Sequence, residues 1–184
     1  MTTVFLSGSR DISRLNDDIR QRLQRIINQG FSVVVGDANG MDKAVQQYFF
    51  DNDYKDVTVY CSGSRCRNNV GQWMTREVAV SPELTGREFY TQKDKAMAAE
   101  ADYGFVLWDG KSQGSITNVL ELVKGNKKAL VYHSPKKTFY KISDVNDASE
   151  LISHCDQQLV KKLRSKLAAL LPENQVDPQI SLGF

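Results

Sequence analysis

Three short loops carry the side chains best suited to chemistry, and each directly follows an apolar run. The first is Ser7-Gly8-Ser9-Arg10-Asp11. Gly8 permits close backbone approach, Ser9 and nearby N–H groups can donate to phosphate oxygens, and Arg10 can neutralise charge bidentately. The second is Gly36-Asp37-Ala38-Asn39-Gly40-Met41-Asp42-Lys43. Its glycines, Gly36 and Gly40, frame a helix start, where unpaired N–H groups attract anions. Asp37 can accept hydrogen bonds from ribose hydroxyls, and Asp42 falls in the first helical turn, where the helix dipole favours a carboxylate. The third is Asp109-Gly110-Lys111-Ser112-Gln113-Gly114-Ser115-Ile116-Thr117-Asn118. Gly114 and Ser115 stand at the next helix N-terminus as an anion cradle, and Lys111 adds charge. Taken singly, the first loop reads first as an ordinary strand-to-helix turn, whereas Gly36, Gly40 and Asp42 of the second read first as lining a site, and the two glycines and two serines of the third exceed what capping needs. Neither G-x-x-x-x-G-K-[ST] nor G-x-G-x-x-G occurs, so neither standard phosphate fingerprint is present.

The elements that must position these loops follow from periodicity. Val4-Phe5-Leu6, Phe31 to Val35, Val57 to Tyr60, Tyr103 to Trp108 and Ala129 to Tyr132 read as buried strands. Helical spacing occupies 15–27, 41–50, 93–101 and 116–123. Strands alternating with helices predict an α/β Rossmann-like three-layer sandwich with a mainly parallel sheet. Ligands of open sheets of this kind bind beyond the carboxyl ends of the strands, where all three loops fall. The chain divides into a nucleotide-binding domain at 1–134, a mostly helical extension at 135–171 and a tail at 172–184. In the extension, Phe139 to Ile142 reads as a short strand. Leu151, Cys155, Leu159, Leu163 and Leu167 form a helical stripe broken near His154-Cys155-Asp156 and stopped by Pro172. The stripe reads first as packing on the domain, and second as a surface for a homo-oligomer.

Composition excludes several classes. The 184 residues are 41% hydrophobic and 25% charged, with net charge +2, as in globular domains that bury a core. No run is long and apolar enough for a membrane span, so no membrane partner is expected. The start, Met1-Thr2-Thr3-Val4-Phe5-Leu6, reads as a first strand rather than a signal peptide, and the expected location is cytoplasmic. Cys61, Cys66 and Cys155 are expected as reduced thiols, and with His133 and His154 far along the chain no metal site and no cofactor are expected.

The motifs resemble the SLOG superfamily, in its YspA-like branch, over about residues 3–132. The resemblance rests on Gly8-Ser9-Arg10, on Gly36-Asp37-Ala38-Asn39-Gly40-Met41-Asp42-Lys43-Ala44, and on Ala101-Asp102-Tyr103 running into Trp108-Asp109-Gly110-Lys111-Ser112-Gln113-Gly114-Ser115. It implies a Rossmann-like fold that binds nucleotides or nucleotide-derived small molecules. The superfamily includes phosphoribohydrolases that make free cytokinins, the single-strand DNA-binding mediator DprA and sensors of signalling nucleotides; nucleoside deoxyribosyltransferases are more distant. Gly36-Asp37 stands where many members have two glycines, and Lys93-Asp94, before Met97, replaces an Arg-Asn pair. Asn118 stands where the hydrolase and transferase relatives place a glutamate.

An amide cannot serve as nucleophile or general base. Binding without turnover is therefore the first reading. Its ligand-binding residues are Gly8, Ser9, Arg10, Gly36, Asp37, Gly40, Asp42, Asp109, Gly110, Ser112, Gly114, Ser115 and Asn118. Arg67, Asn69 and Trp73 are candidates for a base pocket, with Asn68 and Tyr90 nearby. The alternative is an N-glycosidic hydrolase or transferase using Asp42, Asp109 or Glu121. Single-stranded DNA binding ranks third, because Lys161, Lys162, Arg164 and Lys166 read first as a solvated face.

Overall fold

The computed structural model describes residues 1–170. The tail and the Pro172 helix stop lie outside the described residues. The strands are β1 (Thr3–Gly8), β2 (Ser32–Gly36), β3 (Val57–Ser62), β4 (Met74–Val78), β5 (Tyr103–Trp108), β6 (Lys128–His133) and β7 (Thr138–Ile142). They form one sheet in the order β4-β3-β2-β1-β5-β6-β7. All pairs are parallel except β6–β7, a hairpin in which His133 faces Thr138. The helices are α1 (Asp17–Asn28), α2 (Met41–Asp51), α3 (Gly86–Glu100), α4 (Gln113–Lys124), α5 (Val145–Ser153) and α6 (Gln157–Ala168). This is the expected α/β three-layer Rossmann-like architecture with a helical C-terminal portion.

Strand alternation sorts the core into two layers. Val4 and Leu6, Val33 and Val35, Val57 and Val59 face α1 and α2, meeting Ile19, Leu23, Val45 and Phe49. Phe5, Val34, Tyr60, Val106 and Trp108 face the other way, meeting Met97 of α3 and Ile116, Val119 and Leu122 of α4. Sequence neighbours of one strand thus hold opposite helix layers, and right-handed crossovers carry the chain outward in both directions from β1 and β5. Trp108 is 1% exposed and meets the His133 ring edge-on at 4.8 Å, which makes it a core residue.

Local signals set the helix ends. The Asn16 side chain accepts from the Ile19 N–H at 3.1 Å and starts α1. Asp156 does the same for α6 through Leu159 at 2.8 Å, so the break in the leucine stripe is a second N-cap. Leu159, Leu163 and Leu167 are buried in the same core layer as α4, and β7 extends the sheet, so the extension shares the core of the preceding residues.

Two elements depart from expectation. The stretch after β3 contains β4, an edge strand whose Met74, Thr75, Arg76 and Glu77 are all exposed, and so lacks the apolar alternation that marks a strand. Helix α3 begins at Gly86 rather than near 93. Its first turns carry Arg87, Tyr90 and Thr91 towards a cavity instead of the core, which removes the apolar period. Cys61 and Cys66 form a disulfide with Cα atoms 5.1 Å apart, contrary to the expected free thiols. The loop leaving β3 doubles back and brings the pair within bonding reach. Cys155 is free, its thiol pushed up to about 11 by burial and by the charge of Asp156, which removes it as a nucleophile near neutral pH.

Leu163 is fully buried between α6 and the α4 layer. Leu163→Ala is expected to cost roughly 2–5 kcal/mol, read as a lower midpoint in urea unfolding. An unchanged midpoint would mean that α6 is not part of the cooperative core.

Candidate functional site

β1 and β5 are sequence-distant neighbours at the centre of the sheet, where the strand order reverses. Such switch points open a crevice at the carboxyl edge. A cavity of ≈ 1300 Å³ lies there, lined by residues of the loops after β1 and β5, by α3 and α4, and by the end of α6. The structure brings Gly8, Ser9, Arg10, Asp42, Arg67, Asp109, Ser112, Gly114, Ser115, Asn118 and Glu121 to this cavity. Gly36, Asp37, Gly40, Gly110, Asn69 and Trp73 do not line it.

The first and third loops are fastened to each other. Ser9 Oγ donates to Asp109 Oδ2 at 2.6 Å, and the Ser9 N–H donates to the Leu107 carbonyl at 3.0 Å. Both Ser9 donors are thus engaged within the protein, although the residue lines the cavity. Asp109 Oδ1 accepts the N–H groups of Lys111 and Ser112 at 3.0 and 2.7 Å. Burial alone would raise the Asp109 pKa, but the Ser9 and backbone hydrogen bonds outweigh it and hold the carboxyl below its ordinary value. Asp109 therefore shapes the loop, and Gly110 makes its turn at φ +82°. Ser112 caps α4 by accepting from the Ser115 N–H at 3.3 Å. The first-turn N–H groups of Gln113 and Gly114 have no acceptor one turn back along the helix. A Cβ at Gly114 would meet the flexible end of Arg87 at 3.2 Å and Ser112 Oγ at 3.8 Å, so this glycine lets the Arg87 guanidinium lie close against the helix start.

The second loop is occupied internally. Asp37 is 2% exposed and clamped by Arg67, whose Nη2 and Nε donate at 2.7 and 3.1 Å and whose backbone N–H donates at 3.0 Å. Burial would raise the Asp37 pKa, but the Arg67 hydrogen bonds and charge prevail and lower it. Asp37 is therefore committed to Arg67 rather than held free for a ribose. A side chain at Gly36 would collide with Asp42 and Lys93, and one at Gly40, where φ is +79°, with the Arg10 backbone. Gly36 thus leaves room for the Asp42 and Lys93 side chains of α2 and α3, and Gly40 for the backbone of the first loop.

Asp42 is 8% exposed, and its Oδ2 accepts from the Ala38 N–H at 3.0 Å. Burial pushes its pKa up to about 6, against the charge of Lys93 and with that of Asp94. Lys93 is 4% exposed and donates to Asp94 at 2.9 Å. Burial would lower the Lys93 pKa, but the neighbouring Asp94 and Asp42 carboxylates raise it, so it stays charged. A cavity-lining carboxyl that titrates near neutrality can exchange a proton there. Asn118 donates to Ser7 Oγ at 2.6 Å, tying α4 to β1. Glu121 lines the same α4 face one turn on.

The base-pocket candidates separate. The Trp73 indole donates to the Tyr54 carbonyl at 3.0 Å and packs on the α1–α2 side of the core, and Asn69 bonds the Trp73 backbone at 2.8 and 3.0 Å. Arg67 remains at the cavity, its guanidinium 4.4 Å from the Tyr90 ring centroid, with Arg10 at 5.4 Å from the same ring. Tyr90 is thus the aromatic at the site. Lys93, Arg87 and Lys166 also line the cavity. The sequence marks none of them for this role: Lys93 stands out only as a departure from the resemblance, Lys166 as part of a solvated charge run, and Arg87 lies in a segment with no helical period. Among the described residues, no group of three or more His, Cys, Asp and Glu could hold a metal ion, and no helix is long and apolar enough to cross a membrane.

Comparison with known proteins bears on the fold. No protein-family model matches the sequence, and no curated protein matches it. A solved structure of DNA processing protein A from Helicobacter pylori, described for its single-stranded DNA binding mode, is similar with a TM-score of 0.55 at 15% identity. The likeness covers 92% of this chain and 82% of that one, and at this identity it shows a shared Rossmann-like fold.

Asp42 generates a pH-dependent expectation. Its folded pKa of about 6 exceeds the ordinary 3.8, so the folded protein holds the proton more tightly than the unfolded chain. The burial penalty is full above about pH 6 and fades as pH falls towards about 4. Asp42→Asn retains an oxygen for the Ala38 N–H. It is expected to stabilise by roughly 2 kcal/mol at about pH 8 and by nothing at about pH 4, in urea melts at both values.

Proposed function

We propose that this cavity binds a nucleotide or nucleotide-derived small molecule, with a phosphate at the N-terminus of α4, and that the protein holds its ligand without turning it over. The observation that carries this reading is the convergence of the α4 start, with the Arg87 guanidinium close beside Gly114, and the side chains of Arg10 and Lys111 on one cavity at the switch point. Unpaired helix N–H groups and adjacent cations favour an anion of phosphate type. Tyr90 offers a ring face, and Arg10 can exchange contact with that ring for contact with a ligand, while Arg67, held by Asp37, stays against the same ring. The α4 position that carries a glutamate in hydrolase relatives is Asn118, whose amide is spent on Ser7.

Two further readings each rest on one observation. The near-neutral Asp42 in the cavity wall favours an N-glycosidic hydrolase, in which it would protonate a departing base. The fold shared with a protein described for single-stranded DNA binding favours a nucleic-acid partner.

Calorimetric titration with AMP, followed by chromatography of the recovered ligand, separates these readings. The expected result is saturable binding, intact AMP, and at least about tenfold weaker binding by Gly114→Val with an unchanged unfolding midpoint. Release of adenine that is lost in Asp42→Asn would overturn the binding reading in favour of hydrolysis. Binding of oligothymidylate that falls steeply with salt, with none of AMP, would overturn it in favour of nucleic acid.

A further inference from the structure

The phosphate position at the α4 start accounts for one end of the cavity. From there the cavity continues down α4, whose lining residues recur at Gly114, Thr117, Glu121 and Lys124 along one helical face. It ends against α6, which contributes Lys166, Ala169 and Leu170. The volume of ≈ 1300 Å³ exceeds the roughly 300–1,000 Å³ usual for small-molecule sites.

This lower end is cationic. Arg87 and Lys95 from α3, Lys124 from α4 and Lys166 from α6 line it. Among the described residues, the ion pairs join Lys55 to Asp53, Arg67 to Asp37, Arg76 to Glu100 and Lys93 to Asp94, so none of these four cations has a carboxylate partner. Lys166 reaches Thr117 Oγ1 at 3.3 Å and Arg87 reaches Gln113 Oε1 at 2.8 Å, contacts that hold both heads over α4 without neutralising them. Burial and the like charges of Arg87 and Lys95 lower the Lys166 pKa, with Glu121 pulling the other way. Glu121, on the same α4 face, also lines the cavity and offsets part of this charge; four cations drawn from three helices still outnumber it and repel one another unless a further anion lies among them.

We infer that the α3–α4–α6 end of the cavity is a second anion subsite, and that the ligand is two nucleotides joined by a phosphodiester. This rests on the proposed function. One phosphate sits at the α4 start and the other against Lys166, Lys95 and Lys124, with Arg87 between them. The levels of Thr117 and Glu121 lie about 5 and 10 Å along the helix axis from Gly114, a separation that one phosphate does not bridge and a linked second nucleotide does. The C-terminal helix then supplies ligand contacts as well as core.

The test compares AMP with 5′-phosphorylated diadenylate, pApA, by calorimetry on the full chain. pApA is expected to bind at least about tenfold more tightly than AMP. Lys166→Ala, at an exposed position, removes that gain and leaves AMP affinity unchanged, while Lys166→Arg retains it. Equal affinity for the two ligands overturns the second subsite and leaves the proposed function standing. A proportional loss for both in Lys166→Ala also overturns it. Binding of neither overturns both proposals. Affinity that keeps rising from pApA to a long oligoadenylate overturns the dinucleotide ligand in favour of a nucleic-acid strand.

Discussion

The carboxyl edge of this sheet is organised by carboxylates that are buried and must be paired. A charge removed from water is tolerated only when opposite charge or hydrogen-bond donors replace the solvent. Asp37 meets that requirement with the side chain and backbone of Arg67, which draws the irregular segment after β3 over the second loop. Gln46, fully buried, extends the attachment by donating to the Gly36 carbonyl at 2.8 Å and accepting from the Val70 N–H at 3.0 Å. Asp109, only half-buried, is paired in the same way with Ser9 and the N–H groups of its own loop, locking β1 to β5 above their paired strands. Asp42 meets it only in part, and its raised pKa is the consequence.

These internal commitments decide what remains for a ligand. Ser9, Asp37 and Asp109 have the chemistry of ligand-binding groups but spend it on protein partners. The side chains that line the cavity with no carboxylate partner among the described residues are Arg10, a loop residue resting on Tyr90, and Arg87, Lys95, Lys124 and Lys166 of α3, α4 and α6. A cation held by a ring face gives up little when an anion displaces it, because that contact contributes only about 0.5–2 kcal/mol. The loops thus supply the frame together with Arg10, and the surrounding helices supply the other exchangeable charges.

The C-terminal portion belongs to both core and cavity. The β6–β7 hairpin lengthens the sheet, and α5 and α6 cover Ile116, Val119 and Leu122 on the outer layer. The leucines of α6 face inward while its Lys166 reaches across to Thr117, so one helix closes a hydrophobic layer and reaches a cavity wall.

How much of this was legible in the sequence depends on which residues report on their own local surroundings. The parallel strands and the loops after them follow from apolar runs such as Val4-Phe5-Leu6 and Val33-Val34-Val35, because a strand buried on both faces must be apolar throughout. The α6 break follows from Asp156 as a cap. β4 was not legible, since an exposed edge strand has no apolar period to display, nor was the first half of α3, whose side chains turn towards a cavity. Sequence also marked loops that line the cavity, but not the protein partners that several of their groups take. Ser9, Asp37, Gly36 and Gly40 have the residue types of a ligand site, and only the tertiary structure places Asp109, Arg67, Lys93 and the Arg10 backbone where they engage those groups or fill that space first. Residue type determines what a side chain can do, but the partner that reaches it arrives from as far as 100 positions away, as Asp109 does for Ser9, and local sequence carries no record of that distance.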